Sequence, residues 1–176
     1  MPSSPRTLDN WGACAINLLG FGTVTGLFVV QDWVMDVARV GWQDADSLRV
    51  SVLGWETGPV PGDEDAAAIH LACRDDSGAV IAAVSFMLHP CPEQPQERAV
   101  YLWGMAVSPV WQLRGIGSQL LAAVMSEAQC IDATIVWVDA RETAVSFYEQ
   151  AGAVATGAAY NDEVTNLPDR RIILTV

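Results

Sequence analysis

At 176 residues the chain fits one domain, long enough to bury a core without disulfide or metal staples. Half of it is apolar (51%), which excludes a disordered acidic segment, and a net charge of −12 speaks against nucleic acid or an anionic membrane surface as main partner. The same charge suits a cationic or amine-bearing substrate, and equally an ordinary acidic surface.

Residues 11–30, WGACAINLLGFGTVTGLFVV, carry no charge and are just long enough to span a bilayer. Four glycines, Asn17 and two threonines make this a weak span. Arg6 gives a thin positive flank, and Ala13-Cys14-Ala15 precedes the most apolar part, where a signal cleavage site does not belong. From Val34 onward the pattern is that of a domain start, with Met35 where such a domain would begin. Residues 1–34 are therefore read as an apolar extension, with a mis-set translation start, an anchor and a packed accessory element all open, and residues 35–176 as the domain.

Trp33 to Val40 alternates as a strand. Asp44 or Asp46 can cap a short helix through Leu53, which Gly54 closes. GWETGPVPGDEDAA (54–67) is a loop rich in proline, glycine and acid. Ile69–Arg74 and Val80–Leu88 read as strands joined by the turn DDSG. After HPCPEQPQE (89–97), AVYLWGMAV (99–107) is a strand in which Gly104 predicts a bulge or a close backbone approach. A helix is expected over Ile116–Gln129, with Leu120, Leu121, Val124, Met125 and Ala128 on one face. ATIVWVD is a β-branched central strand, and RETAVSFYEQAG a helix ending at Gly152. AVATGAAY and RRIILTV finish as strands, the loop between them holding Pro168. The order β-α-loop-β-β-β-α-β-α-β-β predicts a mixed α/β sheet.

Cys14, Cys73, Cys91 and Cys130 form no CxxC pair and no Cys/His cluster, so no metal or redox site is expected, and four unpaired thiols suit a reducing cytoplasm. The two histidines, His70 and His89, come without GxSxG or HExxH, so hydrolase triads and zinc peptidases lack their parts.

The chemistry concentrates in SPVWQLRGIGSQLL (108–121). A P-loop needs a lysine after its glycines, and none follows. A dinucleotide fingerprint needs a third glycine where Leu120 stands, and turns directly out of its strand. Gln112-Leu113-Arg114-Gly115-Ile116-Gly117 instead matches Q/R-x-x-G-x-G/A, and with Ser118 it opens a helix. Backbone amides at a helix start, helped by the helix dipole, can bind a pyrophosphate. Glycine lets the backbone approach phosphate oxygens, and Arg114 can add a charged contact.

LWGMAVSPVWQLRGIGSQLL followed by VDARETAVSFYEQAGA resembles the central block of the GNAT superfamily, the acyl-CoA-dependent N-acyltransferases; the resemblance extends over about residues 35–176. It implies a mixed, mostly antiparallel sheet of about six or seven strands flanked by about three or four helices, with a V-shaped splay between central strands. It implies acetyl-CoA as co-substrate and an N-acetyltransferase that moves acetyl to a primary amine of a small molecule or peptide, by direct attack in a ternary complex. Family members are often homodimers, so a second copy is the protein partner it allows.

By the same resemblance, the backbone of Met105, Ala106 and Val107 pairs with pantetheine, and the amide of Met105 or Ala106 donates to the thioester oxygen. Tyr148 matches the tyrosine that protonates the departing sulfur. Asp139 stands where many relatives carry asparagine; it either accepts the amine's proton through water or binds the ammonium. Glu97, Glu142 and ordered water alone are the alternatives. Trp55, Glu56, Tyr101 and Trp103 are candidate walls of the acceptor pocket. Trp103 and Asp169 stand where relatives often carry arginine and histidine, which favours an amine over an anion. A non-catalytic CoA-sensing module on the same fold is the rival reading.

Overall fold

The computed structural model describes residues 35–163 and 165–176. The extension expected over residues 1–34, with its start-site and anchor readings, lies outside the described residues. Among those described, the elements run β1 (Val37–Val40), α1 (Trp42–Leu53), β2 (Ile69–Arg74), β3 (Val80–Leu88), β4 (Ala99–Val107), α2 (Ile116–Cys130), β5 (Ile135–Arg141), α3 (Val145–Gln150), β6 (Val154–Asn161) and β7 (Pro168–Thr175). They build one seven-stranded sheet in the order β1-β2-β3-β4-β5-β7-β6. Every pairing is antiparallel except that of β4 with β5. The mixed sheet and the element order expected from the sequence are both present.

Side chains alternate across the sheet and divide the core between its faces. Leu71, Val84, Phe86, Val100, Leu102, Val136 and Ile172 face α2 and α3, meeting Ile116, Leu120, Leu121 and Val124 of α2 and Tyr148 of α3. The opposite face is split. Near β1 it is floored by Ala72, Ala83 and Ala106, small residues that let Ala45 and Leu48 of α1 sit close. Farther along it carries Ala99, Ile135, Trp137 and Ile173, covered by the turn at Cys91.

Two features of β4 open the sheet. From Ala83↔Ala106 to Ser85↔Trp103, β3 advances two residues while β4 advances three, which is a bulge, and Gly104 takes the positive φ of 60° that it demands. On its other side β4 pairs with β5 only from Ala99↔Ile135 to Leu102↔Val138. Beyond Leu102 the strands part, β5 continuing along β7 through Arg141. Residues level in a parallel pair share a face, so Trp103 and Asp139 flank the mouth of the resulting V.

Several boundaries differ from the sequence expectation. Helix α1 starts two residues before Asp44, capped by Gly41; Asp44 lies in the first turn, and its carboxylate accepts the Gly41 amide at 3.2 Å. Strand β1 runs from Val37 to Val40, and the Trp33 end of the expected strand lies outside the described residues. The expected helix from Arg141 is a 3₁₀ turn, Glu142–Ala144, before the short α3, because Arg141 is still pairing in β5. Pro168 is no loop residue but opens β7, a strand-end position that a missing amide tolerates. Cys130 is disulfide-bonded, against the expectation of four unpaired thiols, whereas Cys73 and Cys91 are free and buried.

Candidate active site

The chain leaving β4 turns sharply before α2. Ser108 donates its amide to Ile81, Pro109–Trp111 form a 3₁₀ turn, and the Gln112 side-chain amide reaches back to the Val107 carbonyl at 3.0 Å. Leu113 is fully exposed at a positive φ of 59°, and the Arg114 guanidinium lies 5.0 Å over the Trp111 ring. Gly115 caps α2 at φ 79°, a left-handed conformation that favours glycine; Ile116 behind it is buried and anchors the turn.

The α2 start has no side-chain cap and no acid in its first turn. The helical ladder opens with the Gln119 amide on the Gly115 carbonyl, so the amides of Ile116, Gly117 and Ser118 have no acceptor within the helix. Such a terminus, with Arg114 and Ser118 exposed on its rim, fits a diphosphate. The two glycines serve differently, however. A Cβ on Gly115 would meet nothing within 4 Å, so that residue is there for its φ. A Cβ on Gly117 would stand 3.3 Å from the Phe147 ring and 3.7 Å from the Met105 methyl. Its missing side chain makes room for α3 and β4, a packing reason that the motif alone does not show.

Through that contact the loop is joined to Tyr148. Phe147 and Tyr148 pack edge to face at 4.9 Å, and the Tyr148 hydroxyl donates to the Met105 sulfur at 3.5 Å. Tyr148 is 4% exposed, and burial pushes its phenol well above the ordinary range, leaving a neutral hydroxyl beside the unpaired edge of β4. The α2 start, Met105 and Tyr148 are thus brought together. Met105 and Val107 turn toward α2, and Ala106 toward α1.

On the other face, Trp103 and Tyr101 stack at 5.7 Å, and Tyr101 meets Trp137 at 4.2 Å. Asp139, across the V, is gripped by Arg171, Nε to Oδ1 at 2.9 Å and Nη2 to Oδ2 at 3.2 Å; Arg171 also holds Glu93 and covers Trp137 at 4.9 Å. Burial and then the Asp139 charge push Tyr101 up to about 12, and burial with a hydrogen bond to Asp139 raises Tyr160 further. Trp55 is half-buried with the Arg49 guanidinium 5.8 Å over its ring, and Glu56 is exposed beside it. Glu97 is not brought to this place. It precedes β4 by two residues, accepts the Thr134 hydroxyl at 2.6 Å, and lies roughly 25 Å along extended chain from Met105. Glu142 is paired with Arg170 at 2.8 Å in the turn after β5.

Sequence reasoning missed the buried group beneath the 54–68 loop. Asp63, Arg49, His70 and Ser85 are all buried against Trp103. Asp63 sits among Glu64 and Asp65, and no local pattern separates it from them. Among the described residues no cluster of His, Cys, Asp and Glu could hold a metal ion, and no helix is long and apolar enough to cross a membrane.

Residues 28–153 match the profile of the acetyltransferase (GNAT) family. No curated protein sequence matches the chain. Among solved structures, an acyl-CoA N-acyltransferase from Pseudomonas aeruginosa superposes with a TM-score of 0.59 at 20% identity, covering 79% of this chain and 98% of that one. An aminoglycoside 6'-N-acetyltransferase complexed with coenzyme A gives 0.62 at 15% identity over 80% and 97%. An N-acyl amino acid synthase from uncultured soil microbes gives 0.67 at 11% identity over 80% and 89%. At these identities the likeness is one of fold.

Proposed function

Because the chain belongs to the acetyltransferase (GNAT) family, we propose that it transfers an acetyl group from acetyl-CoA to a primary amine of a small molecule or peptide, by direct attack within a ternary complex. The observation that carries the reading is the meeting of three things: an uncapped helix start, a strand edge released from its neighbour, and a buried phenol that contacts the same strand.

Each part has one task. The amides of Ile116, Gly117 and Ser118, with Arg114, bind the diphosphate; Gln112 and Leu113 shape the turn around Gly115. The edge of Met105, Ala106 and Val107 pairs with pantetheine, and a Met105 or Ala106 amide holds the thioester oxygen. Acetyl-CoA supplies the activated thioester. Tyr148 gives its proton to the leaving sulfur, a role that suits a phenol kept neutral by burial.

The acceptor enters over Tyr101 and Trp103, with Trp55 and Glu56 at the loop side. An alkylammonium with a pKa of ~10 must lose a proton before attack. Both oxygens of Asp139 are engaged by Arg171, which fits binding of the ammonium, and proton passage through water, better than direct abstraction. Asp139, Glu93 and Arg171 together leave one negative charge beside aromatic faces, an environment suited to a cation.

The test is free-thiol release from acetyl-CoA across a panel of amines, polyamines, aminoglycosides and peptide N-termini. Acceptor-dependent release supports the reading. Tight cofactor binding with no release from any acceptor would point to a sensing module instead.

A further inference from the structure

Elements on both sides of the 54–68 loop meet at one carboxylate. Asp63, 4% exposed, accepts Arg49 Nη1 on both oxygens at 3.0 and 2.9 Å, Trp103 Nε1 on Oδ1 at 3.0 Å, and the Val60 amide on Oδ2 at 3.1 Å. Arg49 Nη2 donates to the Ser85 hydroxyl. His70 closes the ring, Nδ1 lying 2.5 Å from Ser85 Oγ and Nε2 3.1 Å from the main-chain oxygen of Asp63. A carbonyl only accepts, so the proton of neutral His70 is on Nε2; Ser85 then accepts from Arg49 and donates to Nδ1. Every link has a donor and an acceptor.

One group stands outside this order. Arg49 is 2% exposed, and its Nε is the buried side-chain polar atom without a partner among the described residues. It lies against the bulge: a Cβ on Gly104 would stand 2.8 Å from Nε, 3.0 Å from Cζ and 3.1 Å from Nη2. The guanidinium therefore covers the one residue of β4 whose backbone conformation moves the strand out of register with β3.

A buried ion pair is weak evidence for stability, since desolvation cancels much of its attraction. What this one delivers is geometry. It fixes Trp103, at the acceptor side of the V, and Gly104, after which the amides of Met105 and Ala106 follow. We propose that Arg49, locked by Asp63 and Ser85, is a positioning residue for acyl transfer: it holds the Gly104 bulge and Trp103 in one register, so that thioester and acceptor meet. This rests on the acyltransfer reading above.

The test compares Arg49→Lys with the milder Ser85→Ala, which removes the hydroxyl that Arg49 Nη2 shares with His70 Nδ1. In Arg49→Lys, kcat at saturating substrates falls roughly 100-fold, the loss that a misplacement of about 1 Å produces. In both variants the acceptor KM rises, while affinity for 3'-phospho-ADP, the part of coenzyme A that lacks pantetheine, stays within about twofold, because the α2 start is untouched. Amide resonances of Met105 and Ala106 shift in Ser85→Ala and those of Ile116–Ser118 do not. If Arg49→Lys does not fold, Ser85→Ala carries the comparison through its acceptor KM and these resonances. A purely structural role predicts lowered melting temperature with wild-type kcat, acceptor KM and resonances in the folded protein, and that result overturns the proposal. A wild-type protein that releases no thiol with any amine, while the Met105 and Ala106 resonances still move in Ser85→Ala, places the failure in the acyltransfer reading and leaves the hold on the bulge standing.

Discussion

Replacing Tyr148 by phenylalanine separates catalysis from folding more cleanly than any other change. The ring contributes to the core beside Phe147 and stays; only the hydroxyl goes. Its contact is with the Met105 sulfur at 3.5 Å, a weak acceptor, so the bond lost is worth at most about 1 kcal/mol, partly offset because a buried polar atom is removed too. The melting temperature should move by no more than roughly 4 °C. If the phenol protonates the leaving sulfur, its loss costs the ~10²–10⁴-fold usual for a general acid, about 2.7–5.4 kcal/mol of barrier. The two figures do not overlap. The assay is single-turnover thiol release at saturating acetyl-CoA and amine, which avoids masking by product release, alongside calorimetric acetyl-CoA binding. A variant that turns over within twofold of wild type, with unchanged binding, would remove Tyr148 from proton transfer.

Gly115→Ala forces an L-residue to φ 79° in otherwise open space, at a cost of about 1–2 kcal/mol, and should weaken CoA binding by roughly fivefold to thirtyfold in a calorimetric titration. Gly117→Val drives a branched side chain into Phe147 and Met105, so both CoA affinity and kcat should fall; kinetics with only one of them changed would deny that the loop and Tyr148 are joined. Asp139→Asn should raise the acceptor KM at unchanged CoA affinity, because the charge lost faces the V and not the phosphate loop. Burial holds His70 below its ordinary value of 6.5, with Asp63 and Arg49 as the charged groups facing it. Below pH 6.5 the unfolded chain therefore binds a proton that the folded chain refuses, and stability falls as pH drops, by at most about 1.4 kcal/mol per pH unit. Denaturant melts of wild type and His70→Gln between pH 7 and 5 should show the steeper loss in wild type.

Strands β2, β3 and β4 were legible with their observed bounds because alternation and flanking turns are local signals. The bulge was legible too, since a glycine inside an apolar strand has few other uses. The α2 start was readable for the same reason: its conformation is set by residues within one turn. What stayed hidden depends on distant partners. Arg49 meets Asp63, Ser85 and Gly104 across gaps of 14, 36 and 55 positions, and Asp63 meets Trp103 across 40. On the sequence Arg49 is an ordinary charge on a helix and Asp63 one of three neighbouring acids. Gly117 shows the intermediate case. Its place in the motif is visible in the sequence, but its close approach to the Phe147 ring, thirty residues away on another helix, is not.

Titration of coenzyme A against pantetheine, which lacks the diphosphate, measures what the α2 start contributes to cofactor binding. One CoA should bind per chain, with pantetheine weaker by at least about tenfold, ~1.4 kcal/mol, because the amides of Ile116, Gly117 and Ser118 have lost their ligand. Equal affinity for the two, or no heat with CoA, would mean that the α2 start holds no diphosphate.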